Sequence, residues 1–63
     1  MKVYLLFYRS AGTVSEKFIT VKRSVEDLTE IAKLNYDGLR VYFQDLQPVP
    51  TTENCLYIVE KSI

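Results

Sequence analysis

The sequence contains no histidine and a single cysteine, Cys55, and both shortages exclude chemistry. Without imidazole the commonest general base is missing, and the Cys55 thiol has no such neighbour to activate it. One thiol makes no intrachain disulfide, and alone it builds no structural zinc site. Glycine is equally scarce: Gly12 and Gly38 stand far apart, so no glycine-rich loop is present to cradle a phosphate. No apolar run approaches the ~20 residues that a membrane-spanning helix needs. The opening residues lack the order of a signal peptide, because Tyr8 and Arg9 interrupt the apolar stretch. A lone cysteine without an export signal fits a reducing cytoplasm, which is the expected compartment. No cofactor, metal or small-molecule substrate is expected. The chain reads as non-catalytic, with Cys55 a small core residue within a strand.

What is present describes an ordinary small domain. Its 63 residues have room for one core, and 48% are hydrophobic against 25% charged. A chain this short buries only about 60% of the surface that it exposes when unfolded, so good packing or self-association must stabilise it. The net charge is zero but unevenly laid out. Lys2, Arg9, Lys17, Lys22 and Arg23 against Glu16 leave residues 1–23 at +4, and residues 24–63 carry the balancing −4. Such a dipolar chain can orient a charged partner or a second copy.

Four stretches have strand character. Residues 2–9, "KVYLLFYR", are rich in aromatic and branched side chains, and residues 16–23, "EKFITVKR", follow a loop at 9–15 in which Gly12 eases the turn. Residues 39–46 make a third strand and "CLYIVEK" a fourth. Between the second and third, "SVEDLTEIAKLNYDG" carries Val25, Leu28, Ile31 and Ala32 at helical spacing. Ser24 is placed to cap its start, Asp27 to complete a weak capping box and Gly38 to end it in the left-handed region. Pro48 and Pro50 make residues 47–54 a semi-extended connector.

The first and last strands are apolar on both parities and so belong at the sheet centre, giving the order 2-1-4-3. The expected class is α+β: one four-stranded sheet with one helix on one face, in ββαββ order. A right-handed crossover through the helix makes the first and last strands parallel. In element order this resembles the β-grasp architecture of ubiquitin-like domains. The chain closes on "EKSI" and not on a diglycine, so the resemblance implies neither conjugation nor sulfur-carrier chemistry. The alternative is two hairpins joined by the helix in an antiparallel sheet.

One helix covers one face, which raises the question of what covers the other. The expected helix-facing set is Val3, Leu5, Phe7, Ile19, Val21, Leu39, Val41 and Phe43. The expected open set is Tyr4, Leu6, Tyr8, Phe18, Tyr42 and Tyr57, with Lys2, Lys22, Arg40 and Lys61 on the same parity. On the last strand, Leu56 with Ile58 and Tyr57 with Val59 compete for the helix side. The candidate binding residues are therefore Tyr4, Leu6, Tyr8, Phe18, Lys22, Arg40, Tyr42 and Tyr57. Tyrosine and arginine are favoured in interface cores, which points to a protein partner or a homodimer. Accessory or inhibitory proteins, including those of phages and other mobile elements, are of this kind by analogy. The alternative is single-stranded nucleic acid stacked on the aromatic face, against which stand a sequence pI near 6.1 and the lack of an RNP-type motif.

Overall fold

The computed structural model describes residues 1–12 and 16–63; the rest of the expected 9–15 loop lies outside the described residues. The elements are β1 (Lys2–Arg9), β2 (Glu16–Lys22), α1 (Val25–Asn35), β3 (Arg40–Phe43) and β4 (Cys55–Ser62). They form one mixed sheet in the order β2-β1-β4-β3, with the helix on one face.

The strand directions correct the expectation. β1 runs antiparallel to both β2 and β4, and the parallel pair is β3 with β4. The sheet is thus neither wholly antiparallel nor, in strand direction, the arrangement that the β-grasp resemblance implies. The reason lies in the chain after Phe43. The expected strand 39–46 stops there, because the Leu46 and Gln47 amides both turn back to the Phe43 carbonyl. That turn frees residues 44–54 to run back along the sheet, a crossover that parallel neighbours require.

Handedness then places the crossover. β2, β3 and β4 run the same way, so β2–α1–β3 and β3–β4 both join parallel strands but step across the sheet in opposite senses. If both connections are right-handed, they must lie on opposite faces. They do: the strap at 44–54 passes over the face away from the helix, where the Val49 carbonyl accepts from Arg9 and Glu53 accepts from Tyr42.

The core lies between α1 and the sheet. Leu28 and Ala32 of the helix meet Leu6, Leu56 and Ile58, all five at most 3% exposed. Burying each of the large aliphatic side chains contributes about 1.5–3 kcal/mol. Glu26 and Asp27 in the first turn and Lys33 in the last suit the helix dipole. Ser24 occupies the N-cap, but its hydroxyl donates to Glu26 at 2.6 Å and makes no side-chain bond to the helix backbone, so the expected capping box is not formed. The helix ends at Tyr36, whose amide donates to the Ala32 carbonyl. Gly38 has φ +90° and closes the following turn one residue before Leu39, whose amide reaches the Tyr36 carbonyl.

This packing predicts an uneven response to truncation. Leu28→Ala should cost about 2–5 kcal/mol of unfolding free energy. Leu34→Ala, at a helix position 79% exposed, should change it by less than about 0.5 kcal/mol. Urea unfolding followed by circular dichroism measures both, and equal costs would contradict the described core.

Candidate functional site

The two faces of β1 are the reverse of the expectation. Tyr4, Leu6 and Tyr8 lie on the helix side, Leu6 fully buried at its centre and the two tyrosines packed around it. Val3, Leu5 and Phe7 lie on the other side. The physical reason is the shape of the residues at each place. Under a helix contributing Leu28 and Ala32, the centre of the sheet takes a leucine, and tyrosines suit the perimeter, where a ring is sheltered and a hydroxyl stays near water. Tyr4 accordingly reaches Glu60 at 3.4 Å, and Tyr8 stacks on Tyr36 with ring centroids 6.2 Å apart.

β2 is irregular where it matters. Opposite Leu6 and Phe7 the register jumps from Thr20 to Phe18, leaving Ile19 as a bulged extra residue. Ile19 packs toward the helix as expected, but Val21, opposite Leu5, does not. Lys22 is opposite Tyr4 and falls on the helix side, and Lys2, paired with Glu60 at 3.4 Å, does too. On β4 the alternatives resolve with Leu56 and Ile58 under the helix and Tyr57 and Val59 on the other face. Val41, Phe43 and Leu39 face the helix as expected.

Of the eight candidate residues, the structure therefore brings Phe18, Arg40, Tyr42 and Tyr57 together on the face opposite the helix and removes Tyr4, Leu6, Tyr8 and Lys22 from it. Residues that sequence reasoning put under the helix take their place: Val3, Leu5, Phe7 and Val21. The face is built in rows across the strands. Glu16, Arg9, Cys55 and Arg40 form one; Phe18, Phe7, Tyr57 and Tyr42 the next; Val21, Leu5 and Val59 a third, beyond which Val3 pairs with Lys61. A signal for this was present in the sequence. Arg9 shares a parity with Val3, Leu5 and Phe7, and a charged end of that row suits the uncovered face better than the space under a helix.

Half of this face is closed by the strap and a polar clasp. The Arg9 guanidinium lies 5.0 Å from the Tyr57 ring centroid, donates to Glu16 at 2.5 Å, and reaches the Val49 carbonyl at 3.4 Å. Phe7 stacks on Tyr57 at 5.1 Å and meets Phe18 edge-on at 5.6 Å. Tyr57 is only 2% exposed as a result. Burial, followed by the Glu16 carboxylate, pushes its hydroxyl up to about 12. The Tyr57 hydroxyl and then Arg9 hold the Glu16 carboxyl below its ordinary value. The Tyr42 hydroxyl donates to Glu53 of the strap, and this bond is the main cause of its raised pKa. Cys55 is fully buried with its thiol toward the Pro50 carbonyl, and burial raises its pKa, away from the thiolate that nucleophilic chemistry requires. Gly12 and Ala11 anchor the far end of the strap through Thr51 and Asn54.

The other half is uncovered. Phe18 is 50% and Val21 45% exposed, and Val3, Leu5 and Val59 beside them are half-buried, with no helix or strand laid across them among the described residues. Lys61, opposite Val3, flanks this end. Among the described residues no cluster of acidic or sulfur side chains is arranged to hold a metal ion, and no helix is long and apolar enough to cross a membrane. No family model matches the chain, and neither does any curated protein or solved structure.

The clasp gives a pH signature with a definite sign. An unfolded tyrosine ionises near 10 and Tyr57 in the fold near 12, so the folded state holds the proton longer and stability falls as pH rises from 10 toward 12. Tyr57→Phe should flatten that part of the stability–pH curve relative to the parent chain. Parallel curves from urea titrations would contradict the buried, hydrogen-bonded hydroxyl.

Proposed function

We propose that the protein is a small interaction module that binds another protein, or a second copy of itself, through the sheet face opposite its helix. The observation that carries this reading is the uncovered strip formed by Phe18, Val21, Leu5, Val3 and Val59, with a half-exposed phenylalanine at its edge. Apolar side chains gathered on one side of a small sheet expose a contiguous patch, and such patches mark sites of association. The strap and the Arg9–Glu16–Tyr57 clasp support the same reading, because they hold the strip on a fixed frame and limit the ordering cost of binding. Enzymatic chemistry has less support: Arg9 is engaged with Glu16 and Tyr42 with Glu53, and the thiol is sealed beneath the strap. Nucleic-acid stacking is also weaker than the sequence pattern implies. Phe7 and Tyr57 stack on one another, which leaves few ring faces to receive a base.

Phe18→Lys combined with Val21→Lys tests the reading. Both side chains are about half exposed, so the circular dichroism spectrum and unfolding midpoint should stay near those of the parent. Concentration-dependent mass in light scattering, or retention of a partner in pull-down, should be lost. A double variant that associates as the parent does would overturn the assignment of this face.

A further inference from the structure

The β3 edge of the sheet holds a site separate from the strip, and the geometry points to its occupant: an extended segment of another protein, apolar at alternate residues and basic around them. β3 closes the sheet, so one side of its backbone meets no strand. The Gln44 amide donates to the Ile58 carbonyl. The backbone groups of Gln44, Tyr42 and Arg40 therefore face β4, and those of Val41 and Phe43 face outward. The Phe43 carbonyl is taken by the Leu46 and Gln47 amides. The Val41 amide and carbonyl and the Phe43 amide have no partner among the described residues. Donor and acceptor groups aligned in this way along a sheet edge form a template for a further strand.

Side-chain contacts are available along the same edge. α1 makes its closest backbone approaches to β2 and β1, which leaves a groove between its flank and β3. Two hollows open along it. One, about 130 Å³, lies among Thr29, Ala32, Tyr36, Leu39 and Val41. The other, about 280 Å³, lies among Tyr4, Val25, Phe43, Leu46 and Ile58. Val41 and Phe43 are two residues apart, about 6.8 Å along a strand, so successive same-face residues of an added strand fall one beside each hollow. The larger hollow suits the bulkier side chain. Main-chain bonds joined to pockets for alternate side chains are the means by which sheet edges recognise extended peptides. β3 has only four residues, and the hollows supply contact that so short an edge lacks.

Charge selects the kind of segment. Asp37 borders the smaller hollow and Asp45 the larger, and Glu26 and Glu30 stand on the same helix flank beside Val25 and Thr29. Glu60 also lines the larger hollow but is paired with Lys2. Lys33 is the base among these lining residues; Lys22 lies beyond Tyr4 on β2, and Arg40 is on the opposite face. Lysine or arginine in the added strand therefore gains attraction, and an acidic segment is repelled. The same charges disfavour β3 of a second copy. A two-fold antiparallel pair centred on Val41 sets Asp37 toward the copy's Asp45, and any such pair brings one acidic groove beside another. β2 of a second copy carries bases, but its bulge at Ile19 breaks the even spacing of its backbone groups.

Selection from displayed random peptides of about ten residues, with the intact protein immobilised, tests this. The expected binders have apolar residues two apart and an excess of lysine and arginine. A synthetic copy of one should shift the Val41 and Phe43 amides and slow their exchange with solvent. Methylating the alternate set of peptide amides that faces β3 should weaken binding about tenfold or more, and methylating the other set less than about threefold. Asp37→Lys with Asp45→Lys should weaken it about tenfold and turn a repeated selection toward acidic residues. Phe18→Lys with Val21→Lys should leave it unchanged, so the β3 site and the strip are judged apart; a loss there would place the peptide on the strip and overturn the β3 site. An empty selection, binders with a helical period, equal effects of the two methylated sets, or indifference to the charge reversal would also overturn the inference. So would shifts of the Val41 and Phe43 amides on raising the protein concentration alone, which would make a second copy the occupant.

Discussion

The parallel pairing of β3 with β4 is the constraint on which the rest of the molecule depends. Parallel neighbours cannot be joined by a tight turn, so the chain must travel back along the sheet between them. With both connections right-handed, that return falls on the face away from the helix, and residues 44–54 become a strap over it. The strap seals Cys55 and Tyr57 and supplies carbonyl and carboxylate partners to Arg9 and Tyr42. It is also the reason that only one half of the second face remains open. In a domain of 63 residues the strap does the work of a second layer without the length of a second helix.

The distribution of aromatic residues follows from the same layout. Tyr4, Tyr8 and Tyr36 ring the aliphatic centre on the helix side, where each can shelter its ring and keep its oxygen near solvent. Phe7, Phe18, Tyr57 and Tyr42 form one row on the far side, and the row grows more enclosed toward the strap. The gradient from the half-exposed Phe18 to the buried Tyr57 marks the border between a structural half and a half free for contact.

Much of the architecture was legible in the residues. The helix could be read from Val25, Leu28, Ile31 and Ala32, and the central place of the first and last strands from their apolar character on both parities. That same character hid the assignment of faces. A strand apolar on both sides gives no periodic signal for which side meets the helix, and the heavier aromatic content of Tyr4 and Tyr8 suggested the wrong one. The bulge at Ile19 broke the remaining clue, because it sent Ile19 and Val21 to opposite faces although they are two residues apart. Strand direction was hidden for another reason. Two prolines in 47–54 announce a connector, but the turn that ends β3 at Phe43 involves Leu46, Gln47 and a backbone carbonyl, none of which has a distinctive side-chain signature.

The bulge has one more effect, on the outer rim of the sheet. β2 leaves one side of its backbone unpaired by any other strand, and such a rim ordinarily invites an incoming strand from another molecule. Here the extra residue at Ile19 interrupts the even spacing of amides and carbonyls midway along, and Lys17 and Lys22 post a charge at either end. Both features make this edge a poorer template for a strand from another molecule than an even, uncharged one would be.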